Sequence, residues 1–233
     1  MTNLPRRSLA AGVGLLFGAM AIPARSQQLA ISATTLRLTP KPLTFNPDKV
    51  KGLSADLLRH HYDEIYVHAV KRVNALNEEL SKLDFNQAPP EALAKLKGEE
   101  LASYNTTILH ELYFDGIGEA PTHPSGLLAQ AMSRDFGSLD RWKAEFMATG
   151  RSLMDGDGWV ILSHSSRDKR LYNHRTASVS EVPAGNTPLL AMDLHRHAYE
   201  KDYDSDAAKY IEAFVQAIKW TNAERLYREA MRL

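Results

Sequence analysis

The sequence predicts an α+β fold, an N-terminal antiparallel helical hairpin followed by an α/β domain with a three-stranded antiparallel sheet. Three observations predict it. Apolar residues recur at helical spacing from Leu57 to Leu83, and again from about Glu99 to Phe114. Three short segments between turn residues then read as strands: Trp159 to Leu162, Arg170 to Thr176 and Thr187 to Asp193. Helical spacing returns after Ser205, with Tyr210, Ile211, Phe214, Ile218, Leu226 and Tyr227 on one face.

Residues 1–26 read as a targeting segment rather than as fold. Arg6 and Arg7 precede an uncharged run from Ala10 to Ala21, and Pro23-Ala24-Arg25-Ser26 offers small residues for cleavage after Ala24 or Ser26. The run is too short for a comfortable bilayer span. Its paired arginines resemble a twin-arginine signal, and an ordinary secretory signal with a chance Arg-Arg is the alternative. Either predicts a periplasmic or secreted product. Residues 27–52 carry Pro40, Pro42, Pro47 and Gly52 and read as an extended arm.

The hairpin region is residues 53–120. Ser54 is an N-cap for the first long helix, whose stripe runs Leu57, Leu58, His61, Ile65, Ala69, Val73, Leu76, Leu80 and Leu83. Pro89-Pro90 breaks the chain. A short helix is expected from Glu91 to Lys97, ending at Gly98, and a second long helix from Glu99 until Asp115-Gly116-Ile117-Gly118 stops it. Residues 121–233 form the α/β region, with Pro121 and Pro124 at the boundary. Helices are expected over 127–136 and 139–150, then the three strands, then a closing helix broken near Trp220.

Composition narrows the function. Lysine plus arginine and aspartate plus glutamate both number 28, so no nucleic-acid or polyanion partner is expected. The absence of cysteine excludes disulfides, thiolate metal sites and cysteine nucleophiles. No second apolar stretch is long enough to span a bilayer, so no membrane association is expected after signal removal.

The chemistry gathers at Asp193-Leu194-His195-Arg196-His197. Asp193 and His197 pair a hard oxygen with an imidazole nitrogen, which suits iron, manganese or zinc. His61 and His110 are the upstream histidines on apolar helix faces, and an antiparallel hairpin could bring them face to face. A lone histidine on such a face is more often a hydrogen-bonded core residue than a ligand.

The surrounding text resembles the iron/manganese superoxide dismutase family over roughly residues 38–230. The resemblance rests on Leu53-Ser54-Ala55 leading to His61-Tyr62, and on His110 followed by Tyr113-Phe114. Asp135-Phe136-Gly137-Ser138, Trp142 to Phe146 and Gly156-Asp157-Gly158-Trp159 extend it. Thr187-Pro188-Leu189-Leu190, Asp193 to Tyr199 and Asp202-Tyr203 complete it. The resemblance implies that His61, His110, Asp193 and His197 bind one iron or manganese ion per chain. It implies superoxide as substrate, with dioxygen and hydrogen peroxide as products. A metal-dependent oxidoreductase of another specificity, or a metal-binding homologue without dismutase activity, are the alternatives.

The residues around that set depart from the family pattern. The family's His and Tyr, four and eight residues after the first ligand, are Ile65 and Ala69 here. Its solvent-binding Gln is Thr106 in one position and Gly185 in the other. The Trp-Glu between Asp and His is His195-Arg196, and the following Tyr is Glu200. Protons would then arrive through water or through a neighbour such as Tyr66 or Glu200. Arg196 in place of a bridging Glu puts the usual family dimer contact in doubt.

Overall fold

The hairpin forms from two helices that the sequence does not divide as its periodicity suggests. In the computed structural model, which describes residues 37–154 and 156–232, Ser54 Oγ accepts from the Leu57 N–H at 3.1 Å and opens helix α1, Ala55–His60. A π-helical segment, His61–Tyr66, follows without a break and leads into α2, Val67–Ser81. The Val67 N–H reaches back to Tyr62 O, five residues away, so one extra residue enters the turn. That extra residue corrects the expected stripe. Tyr66 and Val70 are buried at 0% and 1% exposure, while Ile65 and Ala69 are only half-buried.

Pro90 supplies the first turn of α3, Pro90–Asp115, where a missing N–H costs nothing. The expected stop at Gly98 is absent, and one helix runs through it. A single glycine costs a helix about 1 kcal/mol. Here Arg72 and Lys95 both reach Glu99, and Lys97 pairs with Glu100, so the turns on either side are tied. α2 and α3 pack as the expected hairpin.

Helices α4, Gly126–Phe136, and α5, Leu139–Arg151, follow, with Ser138 Oγ capping α5 through the Arg141 N–H. The sheet has the order β2-β1-β3 and is antiparallel throughout. β1, Trp159–Ser165, is buried along its whole length, which explains its continuous apolar run. It continues three residues beyond the expected end at Leu162. β2 is Leu171–Thr176 and β3 is Asn186–Asp193. The β1–β3 register slips between Leu162 and Ser163, opposite Pro188, which has no N–H to give the ladder. Gly158 opens β1 at φ 151°, and a Cβ there would lie 2.1 Å from Thr176 O, so only glycine passes.

A single 3-10 turn, Arg196–Ala198, leads to α6, Glu200–Tyr203, then α7, Ala207–Ala217, and α8, Thr221–Met231. The break near Trp220 is where the sequence puts it. Its cause is pairing: Gly118 N–H donates to Ala217 O, Lys219 N–H to Gly116 O and Thr122 N–H to Ile218 O. α3 and α8 cover β3, while α5 covers β1 and β2. One apolar core runs from Leu53 and Leu57 in α1 and its approach, through Trp159 to Leu162, to Phe214 and Tyr227. Each fully buried leucine there contributes about 1.5–3 kcal/mol. The export-signal reading of residues 1–26 and the start of the arm lie outside the described residues. No described helix is long and apolar enough to cross a membrane.

Candidate metal centre

Four elements deliver four side chains to one point. His61 enters at the junction of α1 and the π segment, His110 from the C-terminal third of α3, Asp193 from the last residue of β3, and His197 from the 3-10 turn. One ligand atom of each lies within 4.8 Å of the others. Asp193 Oδ2 is the hub: it lies 3.0 Å from His197 Nε2, 3.1 Å from His61 Nε2 and 3.6 Å from His110 Nε2. His61, His110 and Asp193 are buried, and His197 keeps 26% of its side chain exposed.

The protonation states follow from this burial. Desolvation lowers the His61 pKa, overcoming the pull of Asp193, and pushes His110 down to about 3. Burial alone would raise Asp193, yet hydrogen bonds from His195, His197 and His61 hold it well below the usual carboxylate range. An ionised carboxylate therefore faces two neutral imidazoles, the states that metal ligation requires. The His110 tautomer is fixed as well. Its Nδ1–H donates to Thr106 O at 2.7 Å, which leaves Nε2 as a lone pair buried without a hydrogen-bond partner. That orphaned nitrogen, aimed into the cluster, fits a metal ion.

Aromatic rings wall the site. Tyr113 and Phe114 pack on His61 with centroids at 4.7 and 5.4 Å, and Trp159 meets His110 edge-on at 5.1 Å. His195 and His197 are the partly open members of the cluster, with side chains 23% and 26% exposed.

Tyr66 and Glu200 do not join the four. The Tyr66 hydroxyl accepts from the Lys41 N–H at 2.8 Å and donates to Glu111 at 3.1 Å, and burial raises its pKa. Glu200 is half-exposed and lies 3.5 Å from Arg196. The Thr106 hydroxyl donates to Ala102 O at 2.8 Å, within its own helix. Gly185 sits in the turn before β3, its carbonyl accepting from Ser166. His195 is the residue the sequence undervalues. Its backbone N–H and its Nδ1 both meet Asp193 Oδ1, at 2.9 and 2.6 Å. A histidine two residues after a candidate carboxylate ligand was the available signal.

Residues 124–226 match the C-terminal domain of iron/manganese superoxide dismutases. The iron superoxide dismutase of Cupriavidus metallidurans is 45% identical over 192 residues, covering 82% of this chain and 97% of that protein. The iron superoxide dismutase of Aquifex pyrophilus is 31% identical, with 84% and 93% covered. The first manganese superoxide dismutase of Halobacterium salinarum is 28% identical, with 81% and 94% covered. Relatives that span nearly their whole length, together with the converging histidines and aspartate, place this chain in the iron/manganese superoxide dismutase family.

Proposed function

We propose that this chain is an exported superoxide dismutase that holds one iron or manganese ion through His61, His110, Asp193 and His197. The observation that carries the reading is the convergence of three Nε2 atoms on Asp193 Oδ2 inside an aromatic wall. Bound iron or manganese supplies reversible one-electron chemistry, by which two superoxide ions and two protons become dioxygen and hydrogen peroxide. Asp193 contributes the negative charge, and Thr106 O orients His110. Trp159, Tyr113 and Phe114 keep bulk water away. The partly exposed side at His195 and His197 is the route for superoxide and for water carrying the protons.

Proton supply distinguishes this chain from the family pattern. Ile65 and Ala69 cannot donate, and Tyr66 and Glu200 are engaged elsewhere. A positioned donor contributes about 10²–10⁴-fold to such a step. Dismutation is therefore expected to be slower than in relatives that keep the gate. The same observation favours the second reading, a metal-binding relative of different specificity or without dismutase activity.

Metal analysis and a dismutase assay on one purified sample separate the two. One metal per chain with measurable dismutation supports the first reading, and one metal without it supports the second. His110→Ala should cut metal content sharply, and stoichiometric metal in that variant would refute the ligand assignment. Export by the twin-arginine route rests on Arg6 and Arg7. Replacing both with lysine should leave the product in the cytoplasmic fraction.

A further inference from the structure

Asp193 has two oxygens, and they do different work. Oδ2 faces the three imidazoles, whereas Oδ1 takes two contacts from one residue, the His195 backbone N–H at 2.9 Å and His195 Nδ1 at 2.6 Å. A carboxylate oxygen offers about two lone-pair positions, so these two contacts saturate Oδ1. Asp193 is fully buried, and water does not compete for either oxygen.

The His195 ring is itself held. It stacks on His197 with an interplanar angle of 11° and a centroid separation of 5.4 Å, and it meets Trp159 edge-on at 5.9 Å. Between the two residues the backbone is pinned, since the Leu194 N–H donates to Gly158 O at 2.9 Å. An ordinary turn closed by an aspartate needs only the backbone N–H of residue 195. The ring contact goes beyond that requirement.

We infer that His195 is a positioning residue that fastens Asp193 Oδ1, leaving Oδ2 as the single oxygen offered to the metal, and that through its stack on His197 it orients a second ligand. The inference rests on the metal reading above. Outer contacts of this kind typically change metal affinity about 10- to 100-fold.

The side-chain amide of asparagine can place its nitrogen where Nδ1 sits, whereas leucine fills the volume without a donor. The test compares wild type, His195→Asn and His195→Leu, each loaded with manganese or iron. Two quantities are read: metal retained against a graded chelator, and the electron paramagnetic resonance spectrum of the bound ion. His195→Leu should lose affinity about 10- to 100-fold and show an altered ligand-field asymmetry, and His195→Asn should recover much of both. If His195→Leu proves insoluble, His195→Gln takes its place, because its amide is one bond too far out to repeat the contact. Wild-type affinity and spectrum in the donor-less variant would overturn the inference while leaving the metal reading intact. A wild-type protein that binds no metal would overturn both.

Discussion

His164 shows what burial does to an imidazole outside the metal centre. It is 1% exposed, and its Nε2 is buried without a hydrogen-bond partner beside Tyr227. Burial lowers its pKa from 6.5, helped by the positive charges of Lys169 and Arg134. The folded protein therefore keeps it neutral where the unfolded chain begins to bind a proton. Its contribution to stability is full above 6.5 and is lost as the pH falls from there toward the folded value. His164→Leu should reduce the fall in Tm between about pH 7 and about pH 5. A variant whose pH slope matches wild type would contradict this account. At this scale the sequence was legible for ligand types and not for their second contacts. Asp193, His197, His61 and His110 stand out because few side chains supply metal donors. The role of His195 depends on a ring rotation, and so do the partners of Tyr66 and Glu200, which are Lys41 and Glu111 for the one and Arg196 for the other.

At the scale of the elements, apolar periodicity found the hairpin and all three strands, and it failed where hydrogen bonding departs from its usual period. The π segment at His61–Tyr66 adds one residue to a turn, so counting by fours from His61 gives Ile65, while the buried face carries Tyr66. Nothing in side-chain hydrophobicity marks an i-to-i+5 bond. At Gly98 the failure was the reverse: a breaker residue was outvoted by the helix around it. An alanine Cβ at 98 would meet nothing within 4 Å, and the site is exposed. Gly98→Ala should therefore stabilise the protein by about 0.5–1 kcal/mol, through helix propensity and a less flexible unfolded chain. Chemical denaturation checks it, and a lowered midpoint would show that α3 needs a bend there. A second element-level test concerns the arm. Leu38 is clasped by both polar atoms of the Asn74 amide at 2.8 Å, and Lys41 by the hydroxyls of Tyr62 and Tyr66. Tyr66→Phe removes one clasp and should cost about 1 kcal/mol while leaving metal content unchanged. Loss of metal in that variant would instead place the hydroxyl in the site's chemistry.

For the whole molecule, the open question is association. In the family pattern a glutamate at position 196 bridges to a ligand histidine of a second subunit across a twofold axis. Here Arg196 is 73% exposed and, among the described residues, pairs with Glu200 of the same chain at 3.5 Å. So exposed a pair adds little to stability, and the guanidinium remains a cation at the surface. A twofold axis through this surface would bring two such cations together, because an isologous contact pairs each residue with its own copy or its neighbour. It would also set each arginine beside an imidazole that must stay neutral to hold metal. Both effects oppose the usual dimer. Sedimentation velocity should therefore show a single chain, or an oligomer using another face. Arg196→Glu should shift the population toward dimer, since it restores an acceptor and removes the repulsion. Lowering the salt concentration should widen the difference between the two proteins, because screening weakens with it. A wild-type dimer in which residue 196 lies at the interface, undisturbed by low salt, would show that the arginine has found a partner anion there and that the repulsion argument is wrong.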